Sequence, residues 1–127
     1  MILNGFKFEY EVCPDREGNS TIQLLLEINN DKYILLCNNR NNICKIDITS
    51  KVDAFCKGLL KMNINEWNQK KYDEPWEFFP SFYWNLSISA NGINVECKGI
   101  DNLPDNWNEF RALLCEIGIA DSKFPFQ

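Results

Sequence analysis

Residues 82–118 read FYWNLSISANGINVECKGIDNLPDNWNEFRALLCEIG, and this stretch decides the fold because strand, turn and helix signals agree along it. Asn91-Gly92 is a strong hairpin signal, since the two-residue type I′ turn needs positive φ at both central positions. With those two residues in the loop, Ala90 faces Ile93, Ile88 faces Val95, Leu86 faces Cys97 and Trp84 faces Gly99. The intervening pairs, Ser89 with Asn94, Ser87 with Glu96 and Asn85 with Lys98, are all polar. A slip of one residue would mix the two sets, so the register is well specified. A helix follows. Asn106 stands at the cap position with Glu109 three residues on, a capping-box pattern. Trp107, Phe110, Leu113, Leu114 and Ile117 form one apolar stripe, and Gly118 suits the residue that ends a helix.

The pattern extends upstream. Phe6, Phe8, Tyr10 and Val12 alternate with Lys7, Glu9 and Glu11, as a half-buried strand requires. Residues 14–19 are a polar turn. A second strand runs from about Thr21 to Ile28, with Ile22, Leu24, Leu26 and Ile28 on one face. A turn at Asn30-Asp31 sets Ile28 opposite Tyr33, Leu26 opposite Leu35 and Leu24 opposite Cys37. A turn near Arg40-Asn41 sets Cys37 opposite Cys44, Leu35 opposite Ile46 and Tyr33 opposite Ile48. Both registers place the same residues on the same face, so each supports the other. Ser50 and Asp53 suggest a capped start for a first helix with Val52, Phe55, Leu59 and Met62 as its stripe, ending near Asn63. The segments 33–62 and 83–117 thus share a plan of strand, Asn-containing turn, strand, short connection and helix.

These elements predict one α+β domain spanning residues 1–127: an antiparallel sheet of about six strands with two helices packed on one face. The chain order is four strands, a helix, a long loop, two strands and a second helix. Between the halves lies an irregular segment from Ile64 to Ser81. A short helix around Trp67 is compatible with it, but Pro75 and Pro80 exclude a continuous helix or central strand. Loops of this length in small domains are often functional.

Composition narrows the function classes. Hydrophobic residues make up 45% of the 127 and charged residues 24%, as in a soluble globular protein. No apolar run approaches the ~18 residues of a membrane span. The opening residues MILNGFKFEYEV alternate as a strand, unlike a secretory signal, so the expected location is cytoplasmic and membrane partners are not expected. The net charge of −5 argues against a nucleic-acid partner, which would require a basic surface. The six cysteines are scattered without a C-x-x-C pair, and are expected to be reduced. No histidine is present, which removes the usual general base at neutral pH and any Ser-His or Cys-His arrangement. No catalytic residue, metal site or cofactor is therefore expected. Asp73, Glu74 and Glu77 read as solvated loop charges.

Two groups of residues are candidates for contact with a partner. Tyr72, Trp76, Phe78, Phe79 and Tyr83 belong to an aromatic-dense segment, and such rings dominate binding hot spots. Leu25, Ile34 and Leu36 fall on the face of the first sheet half that points away from the core, and an apolar patch there needs cover. The segment Trp76 to Phe82 would provide it by docking on the patch. Otherwise the patch is left for a protein partner or for self-association through the outer sheet face. At Trp84-x-Leu-x-Ile, Asn91-Gly92, Gly99 and Pro104-x-Asn-Trp-x-x-Phe110 the chain resembles small bacterial and phage α+β proteins of the immunity-protein or phage counter-defence (anti-CRISPR-like) kind. The resemblance covers about a third of the chain and carries over no binding residue. It implies a small inhibitor that acts by occlusion. The competing expectation is a small-molecule-binding or enzymatic domain with a pocket under the aromatic residues 72–84.

Overall fold

A computed structural model describes residues 3–12, 21–39, 42–73 and 82–119. Seven strands form one sheet: β1 (Leu3–Val12), β2 (Thr21–Asn29), β3 (Lys32–Asn39), β4 (Asn42–Asp47), β5 (Lys71–Asp73), β6 (Phe82–Ala90) and β7 (Ile93–Ile100). Their order across the sheet is β4-β3-β2-β1-β6-β7-β5, so the first strand joins two hairpin systems at the centre. Two helices, α1 (Val52–Lys61) and α2 (Trp107–Glu116), complete the α+β architecture. Short 3-10 turns at Thr49–Lys51 and Ile64–Trp67 flank α1.

Every register read from the sequence is present. Trp84 faces Gly99, Leu86 faces Cys97, Ile88 faces Val95 and Ala90 faces Ile93. Leu24 faces Cys37, and Cys37 faces Cys44. Past the end of β4, Ile48 donates its backbone N–H to the carbonyl of Tyr33 at 2.8 Å. The alternation places Phe6 and Phe8 of β1, Leu24 of β2, Leu35 of β3, and Trp84, Leu86 and Ile88 of β6 in the core. Both helices pack on that face. Phe6 meets Phe55 of α1 at 5.7 Å between ring centroids, and Phe8 meets Trp107 and Phe110 of α2 at 5.6 and 6.1 Å.

Four expectations are corrected. The sheet has seven strands where about six were expected, and is not wholly antiparallel. The added strand, β5, pairs in parallel with β7 through Lys71–Lys98, Tyr72–Gly99 and Asp73–Ile100. Its approach explains why. The backbone N–H groups of Asn94 and Glu96 on β7 are taken by the side-chain oxygens of Asn65 and Asn68, both at 2.9 Å. Further along, Gln69 N–H donates to the Glu96 carbonyl at 2.7 Å and Lys98 N–H to the Lys70 carbonyl at 3.4 Å. The first half of the irregular segment thus closes a sheet edge that would otherwise be open.

The two turns also exchange roles. Asn30 and Asp31, without glycine, both adopt positive φ (50° and 65°), whereas at Asn91-Gly92 only Gly92 does (82°). The second loop is therefore not type I′, although the register is the expected one. Neither helix uses its anticipated capping box. Before α1, Asp47 accepts hydrogen bonds from the backbone and hydroxyl of Thr49 at 2.9 and 2.5 Å, and the Thr49 hydroxyl accepts the Tyr33 N–H at 2.9 Å. Before α2, the Asn106 side chain accepts from the Trp67 indole at 2.9 Å and donates to the Met62 carbonyl at 3.0 Å. At α2, tertiary partners have taken the amide that local geometry would have used for the cap.

Candidate functional site

The residues that face away from the helices make up an exposed sheet surface with two distinct halves. On the β2–β3–β4 half, Lys7, Leu25, Leu36 and Lys45 are consecutive cross-strand partners. The next row runs Glu27, Ile34, Asp47. Three apolar side chains therefore sit at the centre, closed at the ends of one row by lysines and of the other by carboxylates. Leu25 is 48% exposed and Ile43, further along β4, is 69% exposed. Ile34 and Leu36 are half-buried. Leu25, Ile34 and Leu36, expected together on the outer face, are thus brought together there. Asp47 at the rim is held below the usual carboxylate range, chiefly by the Thr49 hydroxyl bond.

The aromatic candidates separate. Tyr72 lies on the helix side, stacked on Trp84 with ring centroids 5.8 Å apart, and its phenol is raised by burial. Tyr83 lies on the outer face, 41% exposed, opposite Glu11 on β1. Phe82 turns inward and stacks on Tyr10 at 5.3 Å. Trp76, Phe78 and Phe79 lie outside the described residues, as does the proposed docking of residues 76–81 over the patch. Near Tyr72 there is a polar cavity of about 360 Å³ lined by Glu66, Trp67, Lys70 and residues 102–106. It adjoins an aromatic stack in which Trp67, Trp84 and Trp107 lie within 5.9–6.4 Å of one another.

The other half of the outer face carries a feature that sequence reading did not find. A concavity of about 520 Å³ opens over β6 and β7, and Lys7, Lys70, Lys71 and Lys98 all line it. Asn85, Ser87, Gln69 and Glu96 complete its polar lining. The alternation of β6 and β7 already placed Asn85, Ser87, Glu96 and Lys98 on one polar face. The parallel pairing of β5, which brings Lys70 and Lys71 beside them, has no sequence signal of comparable strength. The described cysteines, Cys37, Cys44, Cys56, Cys97 and Cys115, are in no disulfide. Burial pushes the Cys97 thiol up to about 12.

Fold and surface together define an α+β protein with one sheet face under two helices and the other, among the described residues, uncovered. Compared with family models, curated proteins and solved structures, the chain matches none. Among the described residues, no helix is long and apolar enough to cross a membrane.

Proposed function

We propose that the chain is a non-enzymatic protein-binding module, an inhibitor of the immunity or phage counter-defence kind, that works by covering its target with the outer face of the sheet. The observation that carries this reading is the apolar cluster of Leu25, Ile34 and Leu36, with Leu25 about half exposed while both helices pack on the opposite face. Exposed apolar patches rimmed by polar groups are the usual mark of a protein contact. The rim states what the target must offer. A contact with an apolar centre needs acidic groups beside the Lys7–Lys45 row and basic groups beside the Glu27–Asp47 row.

A photo-crosslinking amino acid at Leu36, with one at Ser89 as control, tests the reading in host cells. The expected result is one discrete heterologous adduct from position 36, absent from position 89 and lost on Ile34→Lys. Ile34→Lys and Leu25→Lys should leave the melting temperature nearly unchanged, because half-exposed positions tolerate charge. Adducts of homodimer mass only, or binding that survives both lysine substitutions, would overturn it.

A further inference from the structure

We propose that the lysine-lined concavity over β6 and β7 binds a compact polyvalent phosphate, either free or as the phosphate tail of a nucleotide. This site borders the apolar cluster at Lys7 but rests on Lys70, Lys71 and Lys98, and it stands whether or not that cluster binds a protein.

The first ground is charge. The chain carries 13 basic residues against 18 acidic ones, yet four lysines and a single carboxylate line this one cavity. Lys71 and Lys98 are direct neighbours across the β5–β7 pairing, an arrangement of like charges that is unfavourable without an anion between them. Lys7 is paired to Glu9 at 3.0 Å. Among the described residues, Lys70, Lys71 and Lys98 have no carboxylate within ion-pair distance.

The second ground is rigidity. Lys70 and Lys71 are held against β7 by the Gln69–Glu96 and Lys98–Lys70 backbone bonds and by the Asn68 side chain. Gln69 takes a left-handed conformation (φ 62°) to make that approach. The ammonium groups are therefore carried on sheet backbone, which lowers the ordering cost of binding.

The third ground is chemistry. The cavity offers point-charge ammoniums and the neutral side chains of Ser87, Asn85 and Gln69, but no arginine. Each ammonium acts as a point charge that can meet one phosphate oxygen, and several of them around one cavity suit an anion that carries several charges. A volume of about 520 Å³ accommodates more than one phosphate group. Glu96 faces Ser87 across the β6–β7 pairing, so it repels an anion from that end of the cavity and directs it towards Lys98 and Lys71.

The test is titration of isotope-labelled protein, at low salt and without magnesium, with sodium triphosphate, ATP, adenosine and a heptaglutamate peptide. Triphosphate should give saturable 1:1 shifts confined to residues 7, 69–71, 85–87 and 96–98. Lys98→Gln and Lys71→Gln should each weaken binding roughly tenfold, the loss of one charge-assisted contact. Lys57→Gln, on α1 outside the cavity, should leave it unchanged. ATP binding more tightly than triphosphate, with adenosine silent, would assign the site to a nucleotide tail; equal affinity would assign it to free polyphosphate. Shifts without saturation, equal loss from Lys57→Gln, or tighter binding of heptaglutamate at the same residues would overturn the proposal.

Discussion

Gly99→Ala should be the most damaging single-methyl change in the protein. A Cβ at this position would run into the Trp84 indole nitrogen and lie 2.7 Å from the Tyr72 carbonyl. Trp84 cannot retreat. It is 2% exposed, packed against Tyr72, Trp67 and Trp107, and its indole N–H donates to the Asn102 carbonyl at 2.7 Å. The yielding element is β5, which is held to β7 over only three residues. Overpacking of this kind costs about 1–3 kcal/mol. The indole hydrogen bond, if displaced, adds about 1 kcal/mol. The total of roughly 2–4 kcal/mol corresponds to a fall in Tm on the order of 8–15 °C for a domain this size. Urea denaturation followed by tryptophan fluorescence measures it. Gly5→Ala is the matched control, because nothing lies within 4 Å of its Cβ position. In a Trp84→Phe background the Gly99→Ala penalty should shrink by about 1 kcal/mol, leaving the Tyr72 carbonyl contact. A Gly99→Ala protein within ~0.5 kcal/mol of the parent, well inside the ordinary range for neutral surface changes, would refute the packing argument.

Asn106→Ala removes the acceptor of the Trp67 indole and the donor to the Met62 carbonyl, and should cost about 2–3 kcal/mol in urea melts. Asn106→Asp keeps the acceptor and should cost less; equal losses would show that the link to Trp67 is unimportant. Cys97, its thiol pushed up to about 12, favours the protonated form in the folded state. Its contribution is full below the unfolded value of ~8.5 and declines as pH rises from there towards the folded value, so the urea midpoint should fall between pH 8 and 10.5. Tyr10, raised by burial and by the charge of Asp101, adds to the same alkaline slope at higher pH. Rapid labelling of Cys97 by a thiol reagent at pH 8 in native protein would contradict this burial. Freshly prepared protein should show six free thiols by non-reducing mass spectrometry, and a loss of two mass units would mean that a pair had oxidised.

Much of the fold is legible in the order of residues, because a strand with one buried face must alternate and each cross-strand pair must agree with the next. That logic identified Trp84 opposite Gly99, Cys37 opposite Cys44, and Leu25, Ile34 and Leu36 on the outer face. The helix stripes were equally clear, since their apolar spacing follows the helical repeat. What the sequence could not reveal depends on competition between distant groups. Asn106 looks like a helix cap, but in the folded chain Trp67 and Met62 claim its amide. Residues 65–68 carry no strand pattern because Asn65 and Asn68 satisfy β7 with side chains instead of backbone. The lysine cavity was hidden for the same reason. Net charge averages over the whole surface, and Lys70 and Lys71 meet Lys98 and Lys7 only through the parallel pairing of β5 with β7, which joins residues distant in sequence.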